Sequence, residues 1–315
     1  MLWNKRGLFL GLTAIGIGLL FSILLSSRVE QPEMAPSTQE PKVLLHCNFY
    51  NEKDFISSVE QAKDYDIGDK QLVSSETTIY SERNLIWGGI TPHHLLAGKL
   101  IASFFKTIAK AKPEIVVVVA PNHKGIGTKN IQTGGWDWDT PFGILKGDPE
   151  KADFLVTSKK ADFGEAVLQQ DHSISGLIPY VKYYMPNAKV LPILVHGALE
   201  IGSAIQLGTA IPKMCASERF VVIASADFSH YLSMEEADKK DAETFNTIKS
   251  GNLEKLSMFG NDNLDSPTSI ITLLSAMQAE GTSGFKLLEH SNAQRIVKLK
   301  SDSTTSYFTI MWFGK

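Results

Sequence analysis

From position 43 onward, short apolar runs rich in β-branched residues alternate with stretches of helical periodicity. This alternation restricts the fold more than any other feature of the sequence, because it is typical of α/β architecture and not of all-β folds. The run 115–120 is apolar at every position, as expected for a strand that is covered on both faces. The predicted strands are 85–90, 115–120, 190–195 and 220–225, and the predicted helices are 95–109, 161–168, 234–250 and 269–279.

The charge balance and the cysteines exclude several classes of protein. The chain has 315 residues with 31 Lys+Arg against 34 Asp+Glu, so it lacks the basic surplus that binding to a nucleic-acid backbone requires. Cys47 and Cys215 form no CxxC pair, so neither a zinc knuckle nor a disulfide framework is indicated. No repeat and no composition break divides residues 43–315, which we therefore predict to form one domain.

The N-terminal region differs from the rest of the chain. Residues 7–25 are nineteen positions without a charge, preceded by Lys5 and Arg6. At ~1.5 Å per residue such a helix would cross a hydrocarbon core of ~30 Å. The pattern predicts an uncleaved signal anchor over 1–28 and a proline-containing linker over 29–42, with a cleaved secretory signal as the alternative. The basic flank then predicts a single-pass protein of the cell membrane with domain 43–315 outside the cytoplasm.

Polar residues follow three of the predicted strands at the point where each strand ends. The segments are Thr91-Pro92-His93-His94, Pro121-Asn122-His123 and Ala226-Asp227-Phe228-Ser229-His230. In open α/β sheets, ligands bind beyond the carboxyl ends of the strands, where the loops converge. A single histidine in such a loop is more often a surface or hydrogen-bonded residue, but the recurrence at three strand ends predicts one shared pocket.

Neutral imidazoles together with one carboxylate suit a divalent metal with open coordination positions, either non-haem iron or catalytic zinc. Asp227 and His230 are three residues apart and can face the same side of one turn, as metal ligands, as partners of ligands or as acid/base groups. Asp171-His172-Ser173 adds a further pair, although Asp171 could equally be a helix N-cap with His172 in solvent. The sequence holds no phosphate-binding P-loop and no G-x-S-x-G motif.

These short motifs occur in an order and spacing that resemble the MEMO family, from about residue 85 to the C-terminus. In chain order they are Pro92-His93, Pro121-Asn122-His123, Thr140-Pro141, Asp171-His172-Ser173-Ile174, Leu177 with Pro179-Tyr180, Pro192-Ile193-Leu194-Val195 and Ser225-Ala226-Asp227-Phe228-Ser229-His230-Tyr231. The resemblance implies a fold similar to the class III extradiol dioxygenases, with a central mixed sheet flanked by helices on both faces. The fold-class prediction is this α/β domain preceded by one transmembrane helix.

The resemblance also implies the roles of individual residues. The family's metal-binding histidines fall on His93 and His123, and the position of its metal-binding cysteine falls at or near Asp265. A carboxylate in place of a thiolate would favour iron, manganese or zinc over copper. Asp265 is also followed by Ser266 and Pro267, which are typical of a helix start, so it could merely flank that helix. The remaining pocket residues are expected to act as acid/base or substrate-orienting groups, and they are His172, Asp227 and His230.

The function expected first is a membrane-tethered metalloprotein that holds a divalent metal, iron before copper or zinc, in a redox enzyme or dioxygenase. The alternative is a non-catalytic module that binds a small molecule or a peptide in the inherited pocket. A metal-dependent hydrolase is a third option. The expected partners are such a ligand and the membrane, with no nucleic acid.

Overall fold

The computed structural model describes residues 43–65, 86–158, 160–282, 284–298 and 301–314. The strands are β1 Leu45–His46, β2 Ile86–Thr91, β3 Ile115–Pro121, β4 Ile131–Thr133, β5 Trp138–Asp139, β6 Lys146–Gly147, β7 Asp162–Phe163, β8 Lys189–Val195, β9 Phe220–Ser225, β10 His230–Leu232, β11 Gly284–Asn292 and β12 Thr304–Phe313. The α-helices are α1 Glu52–Gln61, α2 Gly98–Ile108, α3 Pro149–Thr157, α4 Glu165–Leu168, α5 His172–Ser175, α6 Ile178–Tyr184, α7 Ile201–Met214, α8 Met234–Ser250, α9 Leu253–Ser257, α10 Pro267–Ala279 and α11 Ala293–Val297.

The main sheet is mixed. Its strand order is β10-β12-β2-β9-β3-β8-β4-β7, with β11 beside β12 and β6 beside β8. The four central strands β2, β9, β3 and β8 run parallel, so their carboxyl ends lie along one edge of the sheet. Antiparallel strands complete both sides, because β12 pairs antiparallel with β2 and β4 pairs antiparallel with β8. A separate small sheet pairs β1 with β5.

Helices cover both faces of this sheet. Along β3, Val117 and Val119 pack into a core with α7 and α10, whereas Val116 and Val118 pack into a second core with α2 and α6. Successive side chains of a strand point to opposite faces, so a strand buried on both sides must be apolar throughout. Burial of each valine contributes about 1.5–3 kcal/mol to folding, and the two cores hold the strand ends in place from both sides.

Most predicted elements agree with the structure. The strand over 220–225 and the helix over 234–250 have the predicted bounds. The helix predicted over 161–168 begins only at Glu165, because Asp162 and Phe163 extend the sheet beside β4. Gly164 then ends the strand, and its N–H donates to the carbonyl of Thr133 at 2.8 Å.

The fold-class prediction is wrong in placing a transmembrane helix before the domain. Within the described ranges, no helix is long and apolar enough to cross a membrane. The longest of these helices, α8, has 17 residues, reaches about 25 Å and is rich in charges. The same finding contradicts three further predictions. They are the single-pass membrane localisation, the placement of the domain outside the cytoplasm, and the membrane as a partner. The predicted anchor 1–28 and linker 29–42 lie outside the described residues, and the domain boundaries stay a prediction.

Candidate metal centre

Three loops at the carboxyl edge of the sheet bring the predicted site residues together. His93 follows β2, His123 follows β3 and Asp227 follows β9, and these strands are neighbours in the order β2-β9-β3. His172 is the first residue of α5, and Asp265 lies two residues before α10. Parallel pairing of the strands therefore assembles residues that are far apart in sequence.

The three histidine rings form a compact cluster. The centroids of the His93 and His123 rings are 5.0 Å apart, and His172 stacks on His123 at 4.3 Å with an interplanar angle of 27°. Ligand atoms of His93, His123 and His172 all lie within 4.8 Å of one another, and so do those of His93, Asp227 and Asp265. His93 belongs to both groups, so the two share one centre.

The Asp265 carboxylate lies next to both histidines that are predicted to bind the metal. Its Oδ2 lies 3.1 Å from His93 Nε2 and 3.7 Å from His123 Nε2. At ligand distances near ~2.1 Å, neighbouring donors in tetrahedral or octahedral sites lie roughly 3.0–3.4 Å apart. The Asp265 side chain is 9% exposed, and Oδ2 is buried with no hydrogen-bond partner among the described residues. These three donors therefore fit a divalent ion.

Hydrogen bonds on the far side of the rings fix which nitrogen faces the centre. Ser225 Oγ donates to the Ser173 carbonyl at 2.9 Å, so it is free to accept from His93 Nδ1, also at 2.9 Å. Asp171 Oδ1 accepts from His123 Nδ1 at 2.9 Å. With Nδ1 as the donor in both rings, an ion that displaces the Nε2 proton finds the Nε2 lone pair of each imidazole available.

Asp171 holds the His123 loop and caps a helix at the same time. Its buried carboxylate accepts from the His123 N–H at 2.8 Å, from the Ser173 N–H at 3.1 Å and from Ser173 Oγ at 2.8 Å. Both interpretations of Asp171 from the sequence therefore hold, since it is the N-cap of α5 and also the partner of a pocket histidine. Burial raises its pKa, but the hydrogen bonds from His123 and Ser173 together with the charge of His123 outweigh this and lower the pKa to about 2.

The electrostatics of the cluster are set by burial and by pairing. Burial lowers the pKa of His123, but Asp171 and Asp265 outweigh it and raise the pKa to about 10. Burial also lowers the pKa of His93, and the two carboxylates beside its ring more than reverse this. Burial and the two neighbouring imidazoles lower the pKa of His172 to about 4. Burial raises the pKa of Asp265, but the adjacent histidines hold it well below its usual range, so this carboxylate is ionised.

Asp227 and His230 differ in their position relative to the metal centre. Asp227 Oδ1 accepts from the His93 N–H at 3.1 Å, and its Oδ2 lies 3.5 Å from His93 Nε2, so this carboxylate reaches the centre. The His230 N–H donates to the Asn261 carbonyl, and its buried Nδ1 has no hydrogen-bond partner within the described part of the chain. His230 belongs to neither of the two ligand groups around His93.

Sequence reasoning missed a buried network behind the Asp227 loop. Asp241 Oδ1 accepts from Ser229 Oγ, and Asp241 Oδ2 lies 2.7 Å from His290 Nε2. Asp238, Asp241 and His290 also lie within ligand distance of one another, but Asp238 pairs with Arg295 at 2.5 Å. One Asp241 oxygen thus holds the loop through Ser229, and the other holds His290 on β11. The acidic pair on α8 is visible in the sequence, whereas nothing local predicts its contact with β11.

Comparison with known proteins decides the family. A family model described as "Memo-like protein" matches residues 70–311, more than half of the chain. The chain belongs to the Memo-like family. It is 26% identical over 271 residues to a MEMO1 family protein of Pyrobaculum aerophilum, which covers 83% of this chain and 94% of that protein. A MEMO1 family protein of Methanosarcina mazei is 29% identical over 236 residues, covering 72% and 85%.

Among solved structures, this Memo-like protein is similar to an uncharacterized protein of Escherichia coli K12. The sequence identity is 13% and the TM-score is 0.46, covering 67% of this chain and 91% of that chain. The family predicted from the motifs is thus confirmed by the family match. The His/Asp groups could hold a metal, but nothing in the comparisons identifies which metal.

The anchoring of His123 gives a first prediction for this Memo-like protein. In Asp171→Asn, one acceptor oxygen becomes an NH₂ group that faces either the Nδ1–H or the backbone N–H of His123, and the negative charge is lost, so His123 is held less firmly. We expect metal affinity to fall roughly 10–100-fold, the usual effect of losing a partner of a metal-bound histidine. Competition titration with a chromogenic chelator measures it. Asn252→Asp, at the N-cap of α9, is the control and should leave affinity unchanged; equal affinities of Asp171→Asn and wild type would contradict the prediction.

Proposed function

We propose that this Memo-like protein binds one divalent metal ion through His93 Nε2, His123 Nε2 and the Asp265 carboxylate, and that iron is its native metal. Two histidines and one carboxylate with open positions are the ligand set of non-haem Fe(II) enzymes. The observation that carries the proposal is the buried Asp265 Oδ2, which has no hydrogen-bond partner within the described ranges and lies 3.1 and 3.7 Å from two imidazole nitrogens.

The reaction class we propose is oxidation of a small molecule, with a dioxygenase as its most specific form. An iron ion held by these residues would supply redox chemistry with open coordination positions. His172 stacks on His123 while its side chain is 39% exposed, so it can carry a proton between the pocket and solvent. Asp227 fixes the His93 backbone, and His230, whose buried Nδ1 has no partner among the described residues, is the proposed group for orienting a substrate.

The second candidate is a non-catalytic module that binds a small molecule or peptide in the same pocket. One observation favours it: His93 Nε2 lies 3.1 Å from Asp265 Oδ2, close enough for a protonated imidazole and the carboxylate to pair without an ion. Metal binding must displace protons from such rings, so the two candidates compete for the same groups.

Metal analysis separates the two candidates. The full chain is purified without added metal, its metal content is measured, and the chelator-treated protein is titrated anaerobically with Fe(II), Zn(II) and Cu(I). We expect about one ion per chain and retention of Fe(II) against a competing chelator, because three donors converge. Dioxygen uptake by the Fe(II) form then tests the redox class. Failure to bind any of the three ions would leave the non-catalytic module.

A further inference from the structure

A cavity of about 400 Å³ lies at the edge of the sheet opposite the metal centre. Its lining includes Ile86 and Phe220, the first residues of the parallel strands β2 and β9, and Glu114, which directly precedes β3. The loops of the metal centre follow the carboxyl ends of the same strands, so this amino-edge cavity is a separate place on the domain. Its volume is within the roughly 300–1,000 Å³ of typical small-molecule sites.

Two long helices end beside the amino-edge cavity. The segment 216–219, which belongs to the lining, begins one residue after the C-cap of α7. Glu280, which also belongs to the lining, is the C-cap of α10. The C-terminal end of a helix carries a partial negative charge, which stabilises cations placed near it. The backbone around this cavity therefore favours a positively charged ligand.

The carboxylates of the lining differ in their partners. Glu114 pairs with Arg219, whose backbone N–H donates to Oε2 at 2.9 Å and whose Nη2 lies 3.8 Å from Oε1. Glu218 pairs with the buried Lys151, which is not part of the lining. Glu280 pairs with no cation among the described residues, and burial raises the pKa of its carboxyl. One carboxylate of the described lining is thus left without a counter-charge.

Apolar side chains form the wall next to these charges. Trp87 contacts Phe220 at 5.4 Å between ring centroids, and Ile86 and Ala111 extend the apolar surface. An indole is the side chain whose face attracts ammonium groups most strongly. An ammonium ion at Glu280 would gain a counter-charge while its hydrocarbon part covers this wall. An anion would instead meet an unpaired carboxylate and two helix ends of its own sign, and it would lose solvation without compensation.

We propose that the amino-edge cavity binds one small organic ammonium ion, with its nitrogen at the Glu280 carboxylate and its apolar part on Trp87 and Phe220. This site goes beyond the proposed function, because its lining shares no residue with the metal centre. Binding is therefore tested on the chelator-treated full chain, and neither its success nor its failure bears on the proposed metal.

Three probes with the same phenyl group and different charges test the assignment. They are 2-phenylethylamine, a cation at neutral pH, 2-phenylethanol, which is neutral, and the anion 3-phenylpropionate, each titrated by ligand-observed NMR. Glu280→Gln removes the unpaired charge with little change in shape. Ala216→Leu fills the cavity from an exposed position of its lining, so the core is left intact. Glu200→Gln is the matched control, because Glu200 is an exposed glutamate at the other end of α7 without a capping hydrogen bond.

We expect saturable binding of 2-phenylethylamine to the wild type at low millimolar concentration, at least about fivefold tighter than binding of the neutral and anionic probes. Glu280→Gln should weaken the amine at least about fivefold and leave 2-phenylethanol unchanged, because only the cation uses the carboxylate. Ala216→Leu should weaken the amine by a similar factor through the loss of space. Glu200→Gln should match the wild type.

Several outcomes would overturn the assignment. These are no saturable binding of the amine, unchanged amine binding in Glu280→Gln or in Ala216→Leu, and a preference for 3-phenylpropionate. Weakening in Glu200→Gln as large as in Glu280→Gln would also overturn it, because the amine would then be attracted to acidic surface in general and not to this cavity.

Discussion

The double variant His93→Ala/His123→Ala is expected to lose metal binding altogether in competition titrations. Both imidazoles present Nε2 to the centre, and their Nδ1 atoms are held by Ser225 and Asp171. Loss of a partner behind one ligand already costs roughly 10–100-fold in affinity, so removal of two direct ligands must exceed that range. Metal content after purification should fall from about one ion per chain to background, measured by elemental analysis of the protein.

His196→Ala is the control for this prediction. His196 also directly follows a central strand, β8, but its Nδ1 accepts from the Ala198 N–H at 3.0 Å and it belongs to neither group around His93. It should keep the metal content of the wild type. Equal loss in His196→Ala would indicate that the double variant acts through general destabilisation, and full metal content in the double variant would remove the proposed centre.

The part of the site that could be predicted from the sequence is the part that strand ends determine. An apolar run such as 115–120 marks a central parallel strand, and the polar residues directly after it must lie at the ligand-binding edge. His93, His123 and Asp227 were found in this way, and the structure brings them together. Asp265 is identified only through the family resemblance. It is far from those residues in the chain, although it lies close to them in the structure.

What could not be predicted depends on contacts between distant segments. Ser225 and Ser173 orient His93 through hydrogen bonds that no local pattern signals. The Asp241 contact with His290 likewise joins α8 to β11. The sequence pattern predicts helix at Asp162 and Phe163, but these residues pair with β4 as the edge strand β7. Such tertiary contacts override intrinsic propensity.

Asp265→Asn separates a ligand from a residue that merely precedes a helix. Ser266 is the N-cap of α10 and accepts from the Ser269 N–H, so the helix start does not depend on Asp265. Asparagine keeps an oxygen for the Asp227 N–H but replaces the anionic Oδ2 with an NH₂ group. We expect metal affinity to fall by at least roughly 10–100-fold, and the melting temperature of the metal-free protein to fall near neutral pH because the two imidazoles lose their carboxylate, while the protein still folds. Asp262→Asn, on the same segment and paired with Lys240, is the control.

Asp265→Cys tests which ion the centre prefers. A thiolate at this position is the residue type that the resemblance leads us to expect, and it would change the ligand set from two nitrogens and an oxygen to two nitrogens and a sulfur. Soft ligands favour soft ions, so the variant should gain affinity for Cu(I) and lose affinity for Fe(II) relative to the wild type. Paired anaerobic titrations with the two ions measure the ratio of affinities, which we expect to move at least about tenfold toward Cu(I). If neither Asp265→Asn nor Asp265→Cys changes metal content or selectivity, Asp265 does not bind the ion. The ion would then be held by the other group around His93, which is His93, His123 and His172, and the proposed ligand set would be wrong.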